Sequence, residues 1–262
     1  MMIPLIKKVS YETISNMSVE EVNILKSTCK ILHITKFKKH TLDFLNFAKK
    51  FGEVEISQPP EYRTQSSSFI GIISNKSEYG FSKAGSYWHS DSTFLTKPPK
   101  FTALRCINMP TSGGETMFVD MQSAYESLPL DTQNLINDLI GIHSFQKIYK
   151  ETYKKRGLSE LDDSKLNLYP DQGHPLVFNN ETKEIKALYL NEMYLTGIKD
   201  MDDNKAKELI ASILDHTCIK SNIYYHQWDY DDVLLWDNKL VMHKANKVEC
   251  GVKICERAVI LK

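Results

Sequence analysis

From residue 69 onward short runs rich in apolar, β-branched and aromatic residues, set between polar stretches, read mainly as strands. Strands are predicted over 69–74, 101–108, 116–119, 176–178, 187–190, 223–228, 233–236 and 254–261, with an earlier one at 31–35. Helical spacing is confined to a few places. Leu42, Phe44, Leu45, Phe47, Ala48 and Phe51 recur near every third or fourth residue, and Gly52 is a plausible stop. Ser18-Val19-Glu20-Glu21 has the capping-box form and should open a helix. Further helices are predicted over 121–128, 131–139 and 204–216. Many short strands with a few peripheral helices predict a mainly β, double-sheet jelly roll of the cupin-like kind, whose mouth holds ligands. Residues 147–173 are polar, charge-dense and aperiodic, which reads as a lid inserted between strands.

The 262 residues suit one large domain or two small ones. Lys+Arg and Asp+Glu balance at 33 each, so no basic field exists to hold nucleic acid or an anionic membrane. The 36–40 run of Lys36-Phe37-Lys38-Lys39-His40 is short and reads as a solvated turn. Cys29, Cys106, Cys218, Cys250 and Cys255 are odd in number and irregular in spacing, with no Cys-x-x-Cys. They suggest neither a disulfide framework nor a zinc knot. The apolar run at the N-terminus is too short for a signal peptide, and none elsewhere reaches membrane-spanning length. A cytoplasmic location is expected.

Tyr87-Trp88-His89-Ser90-Asp91-Ser92-Thr93-Phe94 carries the most chemistry. On a strand, His89 and Asp91 would share one face. An imidazole and a carboxylate, joined by a second imidazole, make the two-His-one-carboxylate set that holds ferrous iron and leaves positions open. The spacing alone is weak, since eight His and 33 acidic residues produce it about once by chance. Nothing in spacing selects His243 as the third ligand over His33, His40, His143, His174, His216 or His226. Gly113-Gly114 is a turn signal, after which the Thr116 hydroxyl could face the barrel interior. Lys253 and Arg257 share a strand face otherwise set among apolar residues. They are either solvated edge cations or partners of an anionic ligand.

These pieces resemble the taurine dioxygenase family of Fe(II)/2-oxoglutarate-dependent oxygenases. The matching segments occur in family order. They begin with Trp88-His89-Ser90-Asp91-Ser92-Thr93-Phe94, Pro98-Pro99 and Gly113-Gly114-Glu115-Thr116 with Phe118, Asp120 and Met121. Ala124-Tyr125-Glu126-Ser127-Leu128-Pro129, His174-Pro175-Leu176-Val177 and Lys186-Ala187-Leu188-Tyr189-Leu190-Asn191 follow. Trp236-Asp237-Asn238 with His243, and Arg257-Ala258-Val259-Ile260-Leu261, complete the set.

The resemblance implies one oxygenase domain over 1–262, with His89, Asp91 and His243 as ligands of Fe(II). It implies 2-oxoglutarate and O2 as cosubstrates, with Thr116, Arg257 and Lys253 on the keto acid. Where the family carries Arg-x-x-x-Arg, this chain has Lys253-x-x-x-Arg257, so the two roles stay open, with Arg257 favoured. Ser92, Tyr87 and Arg105 are candidates for contact with the substrate. The implied reaction oxidises, by default hydroxylates, a small anionic or amino-acid-like metabolite with release of succinate and CO2. Asp91 argues against halogenation, because its carboxylate fills the place a halide needs. The alternatives are a non-catalytic cupin-like metal- or ligand-binding protein and a zinc hydrolase. A homo-oligomer is compatible with the sequence but not read from it.

Overall fold

The structure is a computed structural model that describes residues 3–58, 60–82, 85–149 and 166–261. Residues 150–165 of the expected lid therefore lie outside the described residues. The chain divides into two compact units.

One unit comprises Met2–Ser86, Pro99–Phe118 and Tyr224–Lys262. Its main sheet runs in the order Ile6–Ser10, Ile31–Thr35, Val233–Asp237, Phe101–Asn108, Ile254–Ile260, Ser67–Ser74, Arg63–Thr64. The pair Ile6–Ser10 and Ile31–Thr35 is parallel, and the remaining pairs are antiparallel. Strand alternation separates two cores. Leu32, Ile34, Ala103, Val233, Leu235, Ala258 and Ile260 point one way, into a cluster with Val22, Leu25, Phe44, Phe47 and Ala48. Those last five come from the helices Val19–Ser27 and Thr41–Lys49, which cover that face. Ile31, Leu104, Cys106, Leu234, Trp236 and Cys255 point the other way and meet Phe118, Trp228 and Val241.

The Val19–Ser27 helix opens with the expected reciprocal cap. The Ser18 hydroxyl accepts from Glu21 N–H, and the Glu21 carboxylate accepts from Ser18 N–H. In the 36–40 run the cations are exposed, but Phe37 is fully buried against Tyr11, Phe44 and Phe47. A shorter sheet joins Ile223–His226, Thr116–Asp120 and Val241–Ala245.

The other unit includes Tyr87–Pro98 and Val119–Ile223. It holds an antiparallel sheet of Leu195–Ile198, Ile140–His143 and Gln172–Pro175, and a hairpin of Val177–Asn180 with Ile185–Leu188. The helix Met121–Glu126 packs on the Ile185–Leu188 strand, and Asp203–Thr217 packs on Leu195–Ile198. The expected helices at 121–128, 131–139 and 204–216 appear as Met121–Glu126, Leu130–Ile136 and Asp203–Thr217. Among the described residues, no helix is long and apolar enough to cross a membrane.

Candidate metal and cosubstrate site

His89 and Asp91 do not sit on a regular strand. His89 occupies a single bridge position and Asp91 begins a turn. At Ser92 the backbone has φ +50°, and Leu95 N–H closes the turn on Ser92 C=O at 3.0 Å. The turn replaces the expected alternation, yet it still aims the two side chains together. His89 Nε2 stands 3.6 Å from Asp91 Oδ1, both buried. His89 Nδ1 is 2.8 Å from the Tyr87 carbonyl, which can only accept. That bond places the ring proton on Nδ1 and leaves the Nε2 lone pair directed at the carboxylate side. At 3.6 Å the two atoms are too far apart for a hydrogen bond and well spaced for two ligands around one ion.

His243 lies on the Val241–Ala245 strand. Its ring stacks on Phe118 (centroids 6.0 Å, 28°) and leans on Trp236 (4.7 Å). Trp236 is itself pinned by its indole N–H to Asn238 Oδ1 at 3.0 Å. Within one unit, His33, His226 and Asp232 are buried and have ligand atoms within 4.8 Å of one another. His89 and Asp91 belong to one unit and His243 to the other. Two imidazoles and one carboxylate form a donor set suited to a divalent first-row metal such as iron.

The Gly113-Gly114 turn takes φ of +72° and +81°. A Cβ at Gly113 would meet the Lys247 carbonyl at 2.4 Å, so only glycine fits. The turn leads into the Thr116–Asp120 strand, where Thr116 is buried. Thr116 Oγ1 accepts from the Trp228 indole N–H at 3.0 Å, and Lys253 Nζ lies 3.5 Å away. Lys253 also donates to the Gly114 carbonyl at 2.6 Å and sits over the Trp228 ring. Thr116 and Lys253 are thus brought together. Arg257 follows on the Ile254–Ile260 strand, half-buried. It acts on Glu55, whose carboxyl is pushed up by burial and drawn partly back by the Arg257 charge.

The expectation that Arg105 contacts substrate is not supported by its surroundings. Arg105 alternates with Leu104 and Cys106 and so points to the helix-covered face of the main sheet, away from the Phe118 and Trp236 core. There its guanidinium bonds Asp231 Oδ1 at 2.9 Å and Glu256 Oε2 at 3.1 Å and lies over the Phe37 ring. All three charged groups are buried, and Thr41 donates to the other Glu256 oxygen. Tyr87, by contrast, packs its ring on that of His89 (4.8 Å) and meets Tyr194.

Sequence reasoning missed the groups that hold the His89 segment. Glu192 accepts from Trp88 N–H at 2.7 Å and donates its own N–H to the Trp88 carbonyl at 2.9 Å. Asn191 Nδ2 reaches the Ser90 carbonyl at 3.1 Å, while its Oδ1 accepts from Met193 and Tyr194 N–H. Thr93 bonds His143 Nδ1 at 2.9 Å, and His174 Nε2 donates to the Leu95 carbonyl at 3.1 Å. The polar pair Asn191-Glu192 directly after an apolar strand was the available signal. Trp228, missed as the partner of Thr116, carried none, since a strand tryptophan reads as core.

Comparison with known proteins gives this geometry a setting. The family described as "Taurine catabolism dioxygenase TauD, TfdA family" matches residues 5–257. An alpha-ketoglutarate-dependent 2,4-dichlorophenoxyacetate dioxygenase of Cupriavidus pinatubonensis is 26% identical over 170 residues, which are 65% of this chain and 58% of that protein. The chain therefore spans less than two thirds of that curated relative. Pentalenolactone F synthase of Streptomyces avermitilis is 27% identical over 216 residues, 77% of this chain and 71% of the relative. The crystal structure of AAD-2 in complex with Mn(II) and N-oxalylglycine superposes with a TM-score of 0.76 at 25% identity, covering 92% of this chain and 86% of that one. The fold is the mainly β jelly roll expected from the strand pattern. By its match over nearly its whole length, the chain belongs to the taurine catabolism dioxygenase TauD, TfdA family.

Proposed function

We propose that the chain is an Fe(II)- and 2-oxoglutarate-dependent dioxygenase. It oxidises, by hydroxylation, a small anionic or amino-acid-like metabolite and releases succinate and CO2. The observation that carries the reading is the family match over residues 5–257, together with the buried His89 and Asp91, whose ligand atoms stand 3.6 Å apart; His243 is the third ligand in this reading. Iron with bound 2-oxoglutarate and O2 supplies the oxidising power.

The residues of the chain bind and orient. His89 offers Nε2 because Tyr87 C=O holds its other nitrogen as a donor. Asp91 contributes one negative charge, which keeps a divalent ion from being over-neutralised. Thr116 already receives the Trp228 indole proton and faces the Lys253 ammonium. Its own hydroxyl proton is thereby directed elsewhere and suits a carboxylate. Lys253 brings positive charge to the same place, and Arg257 offers the bidentate fork that a terminal carboxylate fits. N-oxalylglycine, held by the AAD-2 neighbour, shares the dicarboxylate outline of 2-oxoglutarate.

The substrate reading rests on the wall beside His89. Tyr87, Tyr194, Phe94, Phe145 and Tyr169 form a continuous chain of ring contacts with centroids 4.8–6.3 Å apart. Such a wall suits an acid with an apolar body, anchored at one end by charge. A screen of small carboxylic and amino acids should find compounds that trigger succinate formation above the uncoupled background. A set led by aryl- or alkyl-bearing acids supports the reading. Failure of every acid in a protein shown to bind Fe(II) and 2-oxoglutarate would count against the substrate class.

A further inference from the structure

The second set of ligand-type side chains lies within one unit, with the His226 ring 4.7 Å from that of Trp228 beside the Thr116 and Lys253 pair. His33 sits on the Ile31–Thr35 strand, on the face shared with Ile31. His226 ends the Ile223–His226 strand, and Asp232 immediately precedes Val233–Asp237. All three are buried, His226 to 1% exposure and Asp232 to 2%. Their rings and carboxylate converge: His33 and His226 meet edge to face with centroids 4.7 Å apart. His33 Nε2 is 2.8 Å from Asp232 Oδ2, and His226 Nε2 is 3.9 Å from the same oxygen.

We propose that His33, His226 and Asp232 form a second metal site, for a divalent first-row ion of the zinc type. The observation that separates this from a buried hydrogen-bonded pair is His226. Its Nε2 is fully buried without a hydrogen-bond partner, although it points toward a carboxylate. A buried polar nitrogen left unsatisfied is costly. At 3.9 Å it is beyond hydrogen-bond reach of Asp232. Tetrahedral zinc ligands at about 2.0–2.2 Å from the metal stand about 3.3 Å apart. Drawing His226 inward and opening the 2.8 Å His33–Asp232 contact by about 0.5 Å would therefore satisfy His226 and replace the His33–Asp232 hydrogen bond.

Imidazole must be neutral to ligate, and the buried His226 ring is packed edge to face against that of His33. Asp232 Oδ2 also accepts from Asp229 N–H at 3.2 Å, which orients the carboxylate as supporting hydrogen bonds do around metal ligands. The Lys8 and Lys253 charges act on His226 and oppose a cation; the Asp232 carboxylate offsets them. The three residues join two strands of the main sheet to the neighbouring short sheet.

The test is a Zn(II) titration of chelator-stripped protein against a chromophoric competitor, with the metal content counted by elemental analysis. Wild type should take up two equivalents. His243→Ala should retain one, and His226→Asn, checked by circular dichroism, should also retain one. Chelator should lower the melting temperature of metal-loaded His243→Ala but not of His243→Ala combined with His226→Asn. Uptake of a single equivalent by wild type overturns the proposal, as does a second equivalent that persists in folded His226→Asn. Should His226→Asn not fold, Asp232→Asn takes its place with the same expected loss.

Discussion

Replacing Arg105 with methionine separates a structural cation from a substrate-binding one. The guanidinium neutralises two buried carboxylates at once, Asp231 at 2.9 Å and Glu256 at 3.1 Å. Arg105→Met keeps the length of the apolar stem but strands both charges away from water. Breaking a buried ion pair by removing one partner costs about 3–5 kcal/mol, because the remaining charge is uncompensated. For a chain of this size that is a fall in melting temperature of about 6–20 °C. The loss of guanidinium over the Phe37 ring adds to it.

Urea denaturation gives the free energy, and anaerobic Fe(II) titration of the folded variant reads the metal site. Metal affinity should stay near the wild-type value, because Arg105 faces the helices while the His243 neighbours Phe118 and Trp236 belong to the other face. Adding Asp231→Asn and Glu256→Gln to Arg105→Met should recover much of the stability, since no buried charge then lacks a partner. A stability change below about 1 kcal/mol, with a selective loss of substrate binding, would refute this reasoning and return Arg105 to the substrate.

Arg257→Ala should raise the 2-oxoglutarate concentration needed for half-maximal turnover far more than Lys253→Ala; the reverse order in steady-state kinetics would make Lys253 the anchor. Gly114→Ala should destabilise by about 1 kcal/mol or more and weaken 2-oxoglutarate binding. It forces φ +81° on a side chain whose Cβ meets Pro110 and Val248 at 3.0 Å, and unchanged urea midpoints would contradict this. The His143 pKa is pushed from 6.5 down to about 3 by burial and the nearby His174. The unfolded chain therefore binds the extra proton first, and the stability that His143 contributes above pH 6.5 is lost as pH falls toward 3. His143→Gln should flatten that dependence by up to about 1.4 kcal/mol per pH unit, and urea midpoints measured across the range would show no flattening if the account is wrong.

The periodic segments were legible where one face of a strand meets a core. The 101–108 and 233–236 runs are nearly continuously apolar because their odd and even residues enter two separate clusters. Other strands were less visible. Ile6–Ser10 is a Lys-containing edge strand, half exposed, and Ile140–His143 and Leu195–Ile198 are four-residue strands with a glycine each. Val241–Ala245 follows the preceding strand too closely to stand apart by pattern. At the site, residue types were readable but local geometry was not. His89 and Asp91 converge through a turn with positive φ at Ser92, which strand alternation does not anticipate. The direction of Arg105 was decided by parity within the Phe101–Asn108 strand, information that exists only once the faces of the sheet are known. The Asn191 and Glu192 clamp on the His89 segment bridges about a hundred residues, beyond the reach of any local pattern.

The central claim is that His89, Asp91 and His243 hold one iron that also receives 2-oxoglutarate. Anaerobic addition of Fe(II) and 2-oxoglutarate, followed by visible spectroscopy, tests it most directly. Wild type should develop a weak metal-to-keto-acid charge-transfer band, and folded His243→Ala should lose it. A wild-type protein that stays colourless, or a His243→Ala variant that keeps the band at full strength, would contradict the account.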